Sequence, residues 1–200
     1  MNKPNNYEST QTGGDFVPVE FGGHYAIIKN VSERETKNGD PMVVVSIDFD
    51  KKDDQAGYFT DMFKKDDRPD KKYPNQAVNY ITSEYKGECT RGFKSFLKAY
   101  ADSNGLDVNK DIKWGEDFCK QFKNKRIGVV YGGVEEEYNG EVKMRRKIRW
   151  FCDYKKVEEQ KTPDVKYFDN PAAQVTSKPT VDSNGFMNVP EGSDDEIPFD

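Results

Sequence analysis

A row of alternating basic residues near the middle of the second half of the chain carries the clearest chemistry. The segment from Glu141 to Cys152 reads EVKMRRKIRWFC. Side chains of a β-strand alternate between its two faces, so every second residue of this segment shares a face. One face is predicted to carry Lys143, Arg145, Lys147, Arg149 and Phe151. Such a row attracts phosphates, and bases can stack on a nearby ring, so the pattern predicts a nucleic-acid-binding face.

The opposite face of the same strand is largely apolar and is expected to pack on the core. It carries Val142, Met144, Arg146, Ile148, Trp150 and Cys152. For the basic side, the alternative is a solvated outer face of a sheet without any ligand. Four like charges on one face repel each other, whereas ordinary surfaces intersperse charges of both signs. A polyanion that neutralises them is therefore the favoured interpretation.

Two further groups of residues are candidates for the same interface. Tyr131 and Tyr138 precede the basic strand and are candidates for stacking on bases. The charged segment that follows residue 63 contributes Lys64, Lys65, Arg68, Lys72 and Tyr73. Loops at the mouth of a barrel hold oligonucleotides in OB-folds. Three aspartates are mixed into this segment, so a solvated charged loop is an equal alternative.

The sequence lacks the motifs of a catalytic or metal site. The only histidine, His24, has no obvious helpers and is interpreted as structural. No cysteine pair has metal-ligand spacing, and no glycine-rich phosphate loop is present. Asp48, Asp50, Asp53 and Asp54 lie at the end of a predicted strand and are interpreted as a solvated turn. We therefore expect a protein that is not an enzyme and that has no cofactor.

A mainly β scaffold is predicted to position these residues. Strands are predicted at 23–31, 42–50, 57–63, 125–131 and 141–154, with helices at 90–104 and 116–122. Asn38-Gly39 and Asn139-Gly140 are hairpin signals. The pairs Gly22-Gly23 and Gly132-Gly133 are interpreted as turns or bulges. The predicted fold class is mainly β with a helical insertion, a five-stranded OB-like barrel followed by a disordered C-terminal tail.

Composition and charge divide the chain into four parts. Residues 1–15 are polar and predicted to be flexible, and 16–157 form the predicted domain. Residues 158–190 hold few apolar side chains and are predicted to be a disordered linker. Residues 191–200 form an acidic tip. The net charge is −5, but ten acidic residues and three lysines from residue 158 onward make that part −7 and leave +2 for the rest.

The C-terminal tip resembles a motif of a known family. It contains Asp194, Asp195, Glu196, Ile197, Pro198 and Phe199. This segment resembles the C-terminal tip of bacterial and phage single-stranded DNA-binding proteins. The resemblance implies an OB-fold body that coats single strands and a tip that recruits replication, recombination and repair proteins. In that family the chain usually ends on the Phe, whereas Asp200 follows here, and a generic acidic tail for solubility is the alternative.

Together these features predict a function. We expect sequence-tolerant binding and protection of single-stranded DNA during phage-like DNA replication or recombination. If the protein is phage-encoded, the place of action is the cytoplasm of a bacterial host cell, and an oligomer is possible. The alternatives are a protein-interaction adaptor and a strand-annealing recombination protein. No stretch approaches the ~20 apolar residues of a membrane span, no secretory signal is visible, and the three cysteines are expected to be reduced thiols.

Overall fold

The computed structural model describes Lys3 and residues 17–168. In chain order the elements are β1 (Gly22–Glu35), β2 (Pro41–Phe49), α1 (Tyr58–Lys65), β3 (Val78–Thr82), β4 (Glu84–Tyr85), β5 (Glu88–Cys89), α2 (Arg91–Asn104), β6 (Arg126–Tyr138) and β7 (Glu141–Cys152). Short 3-10 turns lie at Asn75–Ala77, Gly115–Asp117, Cys119–Phe122 and Tyr154–Lys156. The helix predicted at 116–122 is thus two short 3-10 turns. The predicted flexible segment 1–15, apart from Lys3, and the predicted tip 191–200 lie outside the described residues.

Five strands form one antiparallel sheet in the order β3-β2-β1-β6-β7, and β4 pairs with β5 in a separate hairpin. β1 is central because its first half pairs with β6 and its second half pairs with β2. The sheet is not closed, so β3 and β7 are its two edges. The prediction of a mainly β fold with a helical insertion is confirmed at this level.

Local sequence signals account for the β6–β7 hairpin. Asn139 and Gly140 both have positive φ, at 54° and 79°. A two-residue turn of this kind matches the twist of the flanking strands and favours Asn-Gly. The hairpin therefore places β7 beside β6 in a fixed register.

Helix α2 was also predictable from local signals. Thr90 caps its first turn, since its side chain accepts a hydrogen bond from the backbone N of Phe93 at 3.2 Å. Gly105 ends the helix with a φ of 69°. The buried side of the helix brings Phe96 and Tyr100 into the core, where both rings pack on Phe122. This aromatic cluster covers one face of the sheet and fixes α2 against it.

The strand predicted at 57–63 is wrong, because this segment forms helix α1. The carboxylate of Asp48 accepts hydrogen bonds from the backbone N atoms of Phe59 at 3.0 Å and Thr60 at 3.3 Å. These amides lie in the first turn of a helix, where no intrahelical acceptor exists and a negative charge is favourable. A distant acidic residue therefore decides the local structure, and the third strand of the sheet is β3 instead.

Residues 157–166, here called the strap, pack on the sheet. Lys166 bonds to β6 on the side away from β7, with its N donating to the O of Gly133 at 3.0 Å and its O accepting from the N of Glu135 at 2.8 Å. At the other end, the Tyr25 hydroxyl donates to Oε1 of Glu158 at 2.6 Å. The prediction that disorder begins at residue 158 is therefore wrong for residues 158–166.

Two glycines explain how the strap approaches the strands so closely. A Cβ atom on Gly23 would lie 2.4 Å from the backbone O of Val157, and one on Gly132 would lie 2.5 Å from Cγ of Pro163. No real side chain fits at these distances. The glycine pairs predicted as turns or bulges thus lie inside β1 and β6, where they make room for the strap.

Candidate nucleic-acid interface

A β-bulge in β7 decides which side chains share its outer face. Val130 pairs with Trp150 and Tyr131 pairs with Ile148, so Arg149 is an extra residue opposite this step. The alternation predicted from the sequence is interrupted at this point. Trp150, rather than Phe151, consequently lies on the face that carries Lys147.

Three cations form the regular part of this face, and we call Lys143, Arg145 and Lys147 the basic face. All three side chains are exposed. They pair with Glu136, Val134 and Gly132 on β6, which therefore lie on the same side of the hairpin. The predicted row of positive charge is thus accessible and not covered by the described part of the chain.

Carboxylates on the same hairpin partly neutralise this face. Nζ of Lys143 lies 2.5 Å from Oε2 of Glu141, and Lys147 pairs with Glu136. Arg145 has no ion-pair partner among residues 17–168. Exposed ion pairs contribute about 0 to 1 kcal/mol, so an incoming phosphate can replace either carboxylate at little cost.

Arg149 has a different role from the other three predicted cations. Its Nη1 donates hydrogen bonds to the backbone O of Gly133 and of Asp164, each at 3.1 Å. The side chain is half-buried and joins β6 to the strap. Arg149 therefore fastens the strap at the border of the basic face.

Exposed aromatic rings lie at the two ends of the basic face. Trp150 is 39% exposed, and its Nε1 donates to Oε1 of Gln160 at 3.1 Å. Tyr138 is 65% exposed and lies at the turn of the hairpin, opposite Glu141. Sequence reasoning included Tyr138 but missed Trp150, because an inserted residue does not show in a pattern of period two.

Two rings predicted to stack on bases belong to the core instead. Phe151 is half-buried, and its ring centroid lies 5.2 Å from that of Phe96. Tyr131 is 0% exposed, and its hydroxyl donates to the O of Gln76 at 2.7 Å. The stacking role is therefore wrong for both: the bulge turns Phe151 inward, and Tyr131 faces the core from the middle of β6.

Arg146, the one cation predicted on the apolar face, is accounted for by the N-terminal part of the domain. Its Nε donates to the backbone O of Val19 at 2.6 Å. Its guanidinium lies 4.7 Å from the ring centroid of Phe21. A charge on this side of β7 is thus satisfied by a carbonyl and an aromatic face.

The predicted loop contacts lie partly on α1. Lys64 and Lys65 form its last turn, and Nζ of Lys64 lies 3.8 Å from a carboxylate oxygen of Asp61. Arg68 pairs with Asp66 at 2.7 Å, and hydrogen bonds from Arg68 lower the pKa of the Asp66 carboxyl to about 2. Much of the positive charge here is matched locally.

The last two loop candidates differ from each other. Lys72 is exposed, whereas Tyr73 is half-buried and packs against the core. The Tyr73 hydroxyl donates to the O of Ile47 at 3.0 Å, and burial raises the pKa of this group. Tyr73 therefore serves the domain's packing, and the solvated-loop alternative gains support for this segment.

The aspartates after β2 are structural acceptors and not a solvated turn. Asp48 and Asp50 are buried. Asp53 accepts from the backbone N of Tyr25 at 2.9 Å and lies 3.2 Å from Nδ1 of His24. Within the described ranges, no three His, Cys, Asp or Glu side chains are grouped so that they could hold a metal ion.

Comparison with known proteins identifies no relative: no protein-family model matches the chain, and no curated protein matches it. Across residues 17–168, no helix is long and apolar enough to cross a membrane. Arguments about function therefore start from the geometry of the basic face and its flanking rings.

Proposed function

We propose that the protein binds single-stranded DNA through the basic face of β7, without strong sequence preference. The observation that carries the proposal is the row of Lys143, Arg145 and Lys147, which is exposed on one strand face between the rings of Trp150 and Tyr138. Alternate residues of a strand are about 7 Å apart, so the three cations form an evenly spaced line. Such a line follows a phosphate backbone, and the rings offer stacking positions for bases.

Single strands are favoured over duplexes because of the rings. In a duplex the bases are already stacked on one another, so Trp150 and Tyr138 gain nothing from them. In a single strand each base presents a π-face, and stacking on an aromatic side chain contributes about 1 to 3 kcal/mol per base. Contacts through charge and π-faces do not distinguish one base from another, and binding is therefore tolerant of sequence.

The proposal includes an OB-type architecture for the sheet. An OB-fold is a five-stranded, partly open barrel that binds oligonucleotides on its strands and connecting loops. Two contacts support this assignment: the turn Asn75–Ala77, which leads into the edge strand β3, contacts the other edge strand β7, and the Tyr131 hydroxyl bonds to Gln76 in that turn. Both contacts draw the two edges of the sheet toward each other.

The wider role we propose is the coating and protection of single strands in a phage-like replication or recombination system, in the cytoplasm of a bacterial host cell. The protein acts by binding and not by catalysis. The segment Asp194–Phe199 supports this role through its resemblance to partner-recruiting tips, and this part of the proposal lies outside the described residues. The −7 charge from residue 158 onward accounts for the acidic net charge of a protein with a basic interface.

The test is a polarisation titration of labelled oligo-dT at graded salt concentrations. The double variant Arg145→Gln and Lys147→Gln should bind more weakly and should lower the salt slope by about two, one for each lost phosphate contact. The matched control is Lys94→Gln with Lys98→Gln, which removes the same charge from exposed positions of α2. Equal affinity of wild type and the β7 variant, or equal affinity for duplex and single strands, contradicts the proposal.

A further inference from the structure

A cleft of about 590 Å³ lies apart from the basic face. It is bordered by the end of the β1–β2 hairpin, by the β4–β5 hairpin and by the turn Gly115–Asp117. Its wall combines aromatic rings with the carboxylates of Glu33, Glu35 and Glu84. None of the residues that form the basic face borders this cleft.

Trp114 provides a flat aromatic wall. Its side chain is 64% exposed, which is unusual for an indole ring that does not contact a ligand. One face of the ring is stacked on the buried ring of Phe118, with centroids 5.4 Å apart and planes 11° from parallel. The other face is left free for a ligand.

The backbone beside Trp114 is fixed by a single side chain. Oε1 of Gln121 accepts from the N of Lys113 at 2.9 Å, and Nε2 donates to the O of Lys113 at 2.8 Å. The same Nε2 donates to the O of Phe118 at 2.8 Å. Trp114 is therefore held in place before any ligand arrives, which lowers the entropy lost on binding.

The charge of the cleft selects the class of ligand. Glu33, Glu35 and Glu84 are exposed and have no ion-pair partner among residues 17–168, and Arg34 is the one cation along the described wall. An excess of carboxylates repels phosphate groups and attracts cations. The free face of an indole also attracts cations, and guanidinium groups stack on it most often.

We propose that this cleft binds an arginine-bearing segment of a partner protein. The guanidinium stacks on the free face of Trp114 and pairs with the carboxylates of Glu33 and Glu35. Arginine is favoured over lysine because its planar group can stack and donate to a carboxylate at the same time. This interaction is independent of DNA binding and gives the chain a protein-binding site within its folded domain.

The test is a two-dimensional ¹⁵N–¹H spectrum of the full chain, whose two tryptophans give one indole signal each. Trp114→Phe assigns the signals. The probe is an acetylated and amidated peptide containing Arg-Leu-Arg, compared with the same peptide containing citrulline, which keeps the shape and lacks the charge. We expect the arginine peptide to shift the Trp114 signal to saturation and to leave the Trp150 signal in place. Peptide that binds to acidic residues elsewhere in the chain does not contact either indole.

The matched variants test the carboxylates. Glu33→Gln with Glu35→Gln should raise the apparent Kd of the arginine peptide at least about tenfold. Glu137→Gln with Glu159→Gln removes the same charge from exposed positions outside the cleft and should leave the Kd unchanged. Equal shifts with the citrulline peptide, or an unchanged Kd in the Glu33/Glu35 variant, overturn the proposal.

Oligo-dT separates this inference from the proposed function. Under both proposals it shifts the Trp150 signal and not the Trp114 signal. A shift of Trp114 by oligo-dT identifies the cleft as a base-binding site and overturns the arginine proposal. If oligo-dT shifts neither signal while the arginine peptide shifts Trp114, DNA binding fails and the peptide site stands.

Discussion

The indole of Trp150 and the side-chain amide of Gln160 are joined by a 3.1 Å hydrogen bond across the border between β7 and the strap. This bond holds an exposed aromatic ring in one orientation beside the basic face. Because the ring's position is fixed by a residue ten positions later in the chain, the strap is part of the candidate interface and not only of the fold.

Substitution of the two neighbouring aromatics of β7 should have opposite consequences. Trp150→Ala should weaken binding of oligo-dT by about 5- to 100-fold, because the stacking of one base is lost. Phe151→Ala should instead lower the free energy of unfolding by about 2 to 3 kcal/mol, because its ring packs on the core. Polarisation and urea unfolding of both variants separate the two effects. A Trp150→Ala protein with unchanged affinity contradicts the assigned interface.

The pair of His24 and Asp53 predicts a pH dependence of stability. Nδ1 of His24 lies 3.2 Å from the Asp53 carboxylate, and Nε2 lies 3.0 Å from the O of Glu20. Both partners are acceptors, so the two ring nitrogens must both donate, and the site holds the imidazolium. Burial alone would lower the pKa of His24, but the hydrogen bond and charge of Asp53 outweigh it, and the pKa is raised.

A group whose pKa is raised on folding stabilises the fold most at pH values below its unfolded pKa, about 6.5. The free energy of unfolding should therefore decline as the pH rises from there through the raised pKa of His24. Urea unfolding over this range measures the effect. His24→Gln should remove the slope, and a wild-type curve that is flat in this window would show that the pair is not ionised.

The close approach of the strap predicts an unusual sensitivity at one glycine. Gly23→Ala should lower the free energy of unfolding by about 2 kcal/mol or more, because the new Cβ meets backbone atoms of Val157 that cannot move aside. The control is Gly92→Ala in α2, where the nearest atom lies at 3.8 Å. That change should stabilise the protein by up to about 1 kcal/mol, since alanine favours a helix. Urea unfolding compares the two, and equal effects would argue against a tightly packed strap.

The N-terminus of α1 should depend on one buried carboxylate. Asp48→Ala should lower the free energy of unfolding by about 2 to 4 kcal/mol, since it leaves the amides of Phe59 and Thr60 without their acceptor. Asp48→Asn retains one acceptor oxygen and should cost less. Circular dichroism with urea unfolding measures both variants, and the prediction fails if the alanine variant is as stable as wild type.

Features that depend on neighbouring residues were predictable from the sequence. Helix α2 is defined by Thr90, Gly105 and its apolar spacing, and the β6–β7 hairpin by Asn139-Gly140. These signals act within a few residues. They gave the central helix, most strands and the location of the basic side chains correctly.

Features that depend on distant residues were not predictable. The segment at 57–63 becomes a helix because Asp48 supplies an acceptor from another element. The bulge at Arg149 replaces Phe151 with Trp150 on the outer face. Gln121, far along the chain from the β1–β2 hairpin, fixes the exposed ring of Trp114 in the cleft. Each of these contacts is set by tertiary structure, which the period of a sequence pattern does not contain.

The position of β7 at the edge of the sheet gives its charged residues a second consequence. An edge strand has unpaired backbone groups that can template polymerisation into larger sheets. If two copies of β7 met antiparallel about Arg146, Arg145 of one copy would face Lys147 of the other, and like charges in register oppose such pairing. The repulsion that a polyanion would relieve thus also keeps separate molecules from aggregating. Replacement of these three cations by apolar residues would therefore cost solubility before any ligand is added.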